Sequence, residues 1–202
     1  LKRSELRYWW VNQNQTYRHE IAGGYLWSPK RNSNGARNPF YDSMRVVSPS
    51  DVVFSFSDTL IKAIGIVASH GYEAPKPHEF GKTGAYWDLI GWRVDVRFTR
   101  LRLAMKPSEH MGRLGPLLPH KYSPLRANGG GLQNVYLTAV PESMAAALID
   151  LIGAEASTLV RGLYVAEQSA VVPAIGLEQW EEHQLNSIRD NAAIPETERE
   201  QV

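Results

Sequence analysis

The chain has 202 residues, 43% of them hydrophobic and none of them cysteine, with a formal net charge of +1. That length suits one domain with an appendage. The lack of cysteine excludes disulfides and thiolate zinc sites and fits a reducing compartment. No apolar run approaches the roughly 20 residues needed to span a bilayer, and no apolar signal region follows Leu1-Lys2-Arg3-Ser4-Glu5. The expected location is therefore the cytoplasm. The small net charge hides an asymmetry. Residues 1–135 hold 19 Lys+Arg against 10 Asp+Glu, and residues 136–202 hold 3 against 11. A basic body with an acidic tail fits a polyanion-binding module followed by something else.

In chain order, Tyr8-Trp9-Trp10-Val11 reads as a buried strand. Residues 12–24 are polar and end in Gly23-Gly24, which predicts a loop or short helix and then a turn. Asn38-Pro39 is a helix start, with Asn38 as cap and Pro39 at the first helical position. That helix carries Phe40, Tyr41 and Met44. Val52 to Ser57 alternates, and Asp58-Thr59 is tight enough to join it to Ile61–Val67 as a hairpin. Gly65 in mid-strand permits close approach of a neighbour. Residues 69–90 read as a long loop holding Tyr86-Trp87-Asp88. Then Trp92, Val94, Val96 and Phe98 face one way along a strand, with Arg93, Asp95, Arg97 and Thr99 facing the other. Residues 100–131 are mixed and end in Gly129-Gly130-Gly131. A last strand, Val135–Val140, precedes a helix from Pro141 with Met144, Leu148, Leu151, Ile152, Ala156, Leu159 and Val160 at helical spacing. Residues 166–202 are acidic and poor in aromatics, and Asn191–Val202 reads as a linker. Five or six short, mostly antiparallel strands with two or three helices make an α+β chain that curls into a small barrel.

Ten of the chain's twenty Phe, Trp and Tyr residues fall between Tyr8 and Val67, interleaved with amides and guanidinium groups. Flat apolar walls beside hydrogen-bonding amides suit a planar heterocycle such as a nucleobase. The plainer account is that they fill a β core, and Trp9, Trp92 and Phe98 are assigned to the core. The six histidines are scattered, with no pair at metal-ligand spacing on a helix. No phosphate-binding Gly-rich loop and no hydrolase elbow is present. No metal, cofactor or catalytic residue is therefore expected. A nuclease using Asp51, Asp58 and Asp88 is the enzymatic alternative, and Asp95 is expected to pair with Arg93 or Arg97.

Tyr8-Trp9, Trp27, Ala36-Arg37-Asn38, Met44, Ser50-Asp51 and Phe54-Ser55-Phe56 occur in the order in which the EVE family of PUA-like domains carries its motifs. Trp92-Arg93-Val94-Asp95-Val96-Arg97-Phe98 resembles that family's Trp-x-Val-Asp-Val-Lys-Phe strand. The chain departs where Asn12-Gln13-Asn14-Gln15 replaces the usual Lys-Ser-Glu-Pro and where Ser50 stands in place of a common Gly. The resemblance covers roughly residues 6–160 and implies a small curled PUA-like barrel, as residues 1–165, related to YTH domains.

Trp27-Ser28 resembles the first cage tryptophan and serine of YTH domains, and Trp87 the second tryptophan. Asn14 sits where a base-reading asparagine stands. The resemblance implies a reader that flips 5-methylcytosine or 5-hydroxymethylcytosine from duplex DNA between Trp27 and Trp87. Phe56 and Ile90 then wall the modification, and Ser28, Asn12, Asn14 and Gln133 bond the base edge. Lys30, Arg31 and Arg37 contact phosphates. Residues 8–67 also resemble the N-terminal module of bacterial modification-dependent restriction endonucleases, in which an HNH nuclease domain follows. Pro195-Glu196-Thr197-Glu198-Arg199-Glu200-Gln201 resembles the segment that leads into it, so residues 166–202 are expected to be an acidic helical or linker segment leading toward that domain. The implied partners are modified DNA, that HNH domain and, in a full-length protein, a second copy. The alternative is an RNA- or N6-methyladenine-binding module without a restriction role.

Overall fold

A computed structural model of the chain describes residues 6–132, 134–163 and 165. The chain divides into a body ending at Thr158 and a second unit from Leu159. The body is built on one mixed, curled sheet with short helices around it, the α+β architecture expected. Its strands are β1 (Tyr8–Asn12), β2 (Tyr25–Pro29), β3 (Val52–Ser57), β4 (Leu60–Val67), β5 (Tyr72–Pro75), β6 (Ile90–Met105) and β7 (Leu137–Val140). They run in the order β2-β6-β4-β3-β1-β7, with β5 pairing β6 off that path. Among the described strands only β1 and β3 pair in parallel; each remaining pair is antiparallel. Among the described residues the sheet has seven strands, and β5 lies in the stretch read as loop. Among the described residues no helix is long and apolar enough to cross a membrane.

Local rules account for many of these elements. Asp58 and Thr59 both have positive φ, 50° and 69°, as a two-residue hairpin turn requires to match strand twist. Asn38 Oδ1 accepts from Phe40 N at 2.9 Å and caps α2 (Pro39–Asp42), with Pro39 at its start. α1 (Tyr17–Gly23) ends on Gly24 in the left-handed conformation, where a Cβ is unfavourable. At Gly65 a Cβ would lie 2.4 Å from Val96 Cγ1, so β6 side chains fill the space this glycine leaves. A four-residue helix, α3 (Met111–Leu114), follows β6. The helix after β7, α4 (Glu142–Ile152), is interrupted at Gly153 (φ 94°), and helix resumes over residues 154–163, where Ala156, Leu159 and Val160 lie.

The inner core holds Trp9, Val11, Leu26, Met44, Val53, Val67, Val94, Val96 and Leu137, with Trp92 and Phe98 packed against it. Trp9 brings a polar N–H into that core. Nε1 donates to Asp51 Oδ2 at 2.8 Å, and Asp51 also accepts from Ser48 N and pairs with Arg7. A buried carboxylate satisfied by a cation and two N–H donors is a structural fixture. Asp58 pairs with Lys62 and Asp88 is exposed on its loop. Among the described residues no three His, Asp or Glu gather to hold a metal. Asp95 pairs with Arg93 at 3.3 Å, as the strand pattern predicts.

Candidate functional site

β2 is five residues long, and its side chains alternate between two clusters. Leu26 enters the inner core. Tyr25 and Trp27 join a second cluster with Ala74 and Phe80, against which Trp87 packs. Trp27 and Trp87 stack with ring centroids 6.1 Å apart and planes inclined by 29°. Phe80 meets both edge-on, at 5.9 and 6.2 Å. Trp27 Nε1 donates to the Ala74 carbonyl at 3.2 Å. Gly91, opposite Pro29 on β6, makes room for this packing: a Cβ there would lie 2.4 Å from the Trp27 ring.

The segment between β5 and β6 forms the outer wall. Its internal bonds are local, such as Thr83 N to Phe80 O and Trp87 N to Gly84 O. A main-chain bond from Lys76 N to Leu89 O closes its base. Tyr25 Oη reaches up from β2 and donates to Glu79 at 2.7 Å. Burial, then this bond, raises the Tyr25 hydroxyl's pKa. Glu79 is held below the ordinary carboxylate range, first by its own main-chain N–H and then by Tyr25. A cleft of about 370 Å³, lined by Pro75, Lys76, Pro77, His78, Gly81, Leu89 and Ile90, opens in the same segment.

The main chain of Trp27 is anchored from the other side. Its N–H donates to Glu20 Oε1 at 2.8 Å and to Tyr136 Oη at 3.0 Å. Tyr136 Oη donates to the same carboxylate oxygen at 2.5 Å. Gln13 Nε2 and Thr16 Oγ1 donate to Oε2 at 2.7 and 2.8 Å. Ser55 Oγ donates to Gln13 Oε1. Glu20 is wholly buried, and burial raises its pKa against the pull of these four donors. Burial, then the Glu20 charge, pushes Tyr136 well above its ordinary value. The network ties α1, β1, β3 and the approach to β7 to the edge of β2 that β6 leaves open.

The structure brings Trp27 and Trp87 together, but in direct contact and not across the base-wide gap expected. Two ring-to-ring layers on either side of a base need roughly 7 Å at van der Waals spacing, so this stack holds no base while closed. Trp27 is only 1% exposed, with Trp87 as its cover. Ile90 lines the adjoining cleft and is 45% exposed. Ser28 lies on the opposite face of β2 from the Trp27 indole by strand alternation. Its Oγ is the one buried side-chain polar atom without a partner among the described residues.

The other expected contacts lie elsewhere. Asn12 accepts from Trp10 Nε1 and donates to the Leu132 carbonyl. Asn14 accepts from Asp58 N at the β3–β4 turn. Phe56 packs on Trp10, with centroids 5.0 Å apart, because β1 pairs it opposite Asn12. Gln133 lies outside the described residues. Lys30 pairs with Glu73 and sits over the Trp92 ring at 4.9 Å. Arg37 pairs with Asp42. Arg31 is exposed, and its guanidinium donates to the Gly35 carbonyl. Phe80, Glu20, Gln13 and Tyr136 belong to the site and were not predicted. Helical spacing from Thr16 to Glu20 was the one available signal.

No protein-family model and no curated protein matches the sequence. Solved structures do. A hypothetical protein from Leishmania major is 16% identical, with a TM-score of 0.52 over 73% of this chain and 95% of its own. A Pseudomonas putida protein is 16% identical, with a TM-score of 0.48 over 72% of this chain and 99% of its own. The Pho92 YTH domain in complex with m6A is 12% identical, with a TM-score of 0.44 over 75% and 88%. The likeness to the Leishmania major protein is one of fold: this chain shares its curled α+β sheet.

Proposed function

We propose that residues 1–165 form a reader of a modified base, 5-methylcytosine or 5-hydroxymethylcytosine, flipped from duplex DNA. In this reading residues 166–202 lead toward an HNH nuclease that the reader targets in the bacterial cytoplasm. The observation that carries the proposal is the Trp27–Trp87 stack, whose two indoles come from segments sixty positions apart. The order of motifs shared with EVE domains supports it. The inner indole is fixed on a strand anchored by Glu20 and Tyr136. The outer indole rides on a segment whose hydrogen bonds are mostly its own, so it is the wall that can lift.

A flipped base enters when Trp87 moves outward and takes the place that Trp87 holds against Trp27. Unstacking the base costs a few kcal/mol, and aromatic stacking returns about 1–3 kcal/mol. Stacking on its own thus roughly balances extrusion. Selection between cytosine and its modified forms must come from the side wall, where Ile90 stands, and from polar groups uncovered as the segment lifts.

The test is fluorescence anisotropy with matched oligonucleotides carrying cytosine, 5-methylcytosine or 5-hydroxymethylcytosine in a duplex, and with RNA carrying N6-methyladenine. Preference for a modified-cytosine duplex, lost in Trp27→Ala and Trp87→Ala, is the expected result. Equal affinity for all probes overturns the proposal. Preference for the methylated RNA replaces it with the RNA-reader alternative.

A further inference from the structure

Eight large hydrophobic side chains stand exposed among the described residues, and three of them fall within five consecutive positions: Tyr86 at 90%, Leu89 at 76% and Ile90 at 45%. Single exposed apolar residues need no explanation, but this group flanks Trp87. Two bonds hold its base. Lys76 Nζ donates to the Gly84 carbonyl at 3.2 Å, and Lys76 N donates to the Leu89 carbonyl at 2.8 Å. Gly84 has φ 63°, and a Cβ there would lie 2.0 Å from the Trp87 ring, so the indole is seated directly on the turn. Tyr86 precedes that seated ring and stays in solvent. Lys82, on the same segment, is exposed and has no carboxylate partner among the described residues.

Extruding a nucleotide leaves a hole in the base stack. Architectural DNA-binding proteins fill or open such steps with apolar side chains. A reader whose own stacking only balances extrusion needs such a filler if its substrate is a duplex. We propose that Tyr86 and Leu89 are wedges that occupy the gap left in the duplex, while Trp87 covers the extracted base and Lys82 meets a neighbouring phosphate. This rests on the modified-base reading above and adds that the substrate is double-stranded.

The test compares the full chain with the double variant Tyr86→Ala/Leu89→Ala, with Leu103→Ala as an exposed apolar control on β6. Each is titrated with 5-methylcytosine, 5-hydroxymethylcytosine and N6-methyladenine oligonucleotides, in duplex and single-stranded form. Circular dichroism confirms folding. The expected result is a loss of at least tenfold on the preferred modified duplex, with single-strand affinity changed less than twofold and Leu103→Ala like the parent. Unchanged duplex affinity, or equal loss on both forms, overturns the wedge while leaving the reader intact. If the parent prefers no modified probe in either form, the reader proposal falls and takes the wedge with it.

Discussion

Glu20 Oε1 accepts the main-chain N–H of Trp27 at 2.8 Å, so a buried carboxyl sets the position of the inner indole. Its pKa is raised by burial. A carboxyl that binds its proton more tightly in the folded state gives its full stability below the unfolded value, about 4.3. That contribution is lost as pH rises through the folded value. Glu20→Gln removes the titration and sets an NH2 group against converging donors, which costs about 1–3 kcal/mol. The stability gap between parent and variant is therefore widest near pH 4.5 and narrows toward pH 8. Urea midpoints across that range check this; a gap that widens with pH contradicts the assignment.

Trp87→Ala removes the cover from Trp27 and one wall of the site. Because Trp87 is half-buried on a surface segment, the fold survives. Affinity for the preferred modified base falls by about 1–3 kcal/mol, which is roughly 5- to 150-fold. Trp27→Ala differs, since Trp27 is buried and its loss costs about 3–5 kcal/mol of stability. Thermal melts beside binding titrations separate the two.

Basic residues near β2 should contribute unequally to DNA affinity. Arg31 has no carboxylate partner among the described residues, whereas Arg37 pairs with Asp42 at 2.5 Å and Lys30 with Glu73 at 2.5 Å. Arg31→Ala is expected to lower the slope of log affinity against log salt by about one. Arg37→Ala lowers it less, because Asp42 already offsets that charge. Titrations at several salt concentrations measure both slopes.

Ser50 has φ 74°, where a Cβ is disfavoured. Its N–H still donates to the Val67 carbonyl at 3.0 Å. Ser50→Gly relieves the strain and keeps that bond, so stability should rise by about 0.5–1 kcal/mol. A lower melting temperature would contradict the strain.

What the sequence disclosed was local. Asp58-Thr59, Asn38-Pro39 and Gly65 are read from neighbouring residues, because turn, cap and close approach depend on the residue itself. β5 was hidden because Tyr72-Glu73-Ala74-Pro75 is short and ends in proline. It is a strand only because β6 lies beside it. The site followed the same division. Trp27 and Trp87 were legible as aromatics in matching motifs. Phe80 was a lone ring in a Pro- and Gly-rich stretch, and nothing nearby marked it as their partner. Between Asn12, Gln13 and Asn14 the buried member is Gln13, set by Glu20 and Ser55 from other elements. The Arg37–Asp42 pair spans five positions and was within local reach, while the pairing of Lys30 with Glu73 needs the sheet.

The most direct measurement is a crystal structure of the chain bound to a duplex carrying one 5-methylcytosine or 5-hydroxymethylcytosine. The account predicts the modified base lying against Trp27, with the Trp87 ring displaced to roughly 7 Å or more from Trp27 across it. A bound duplex whose bases all remain stacked, with the two indoles still 6.1 Å apart, would contradict it.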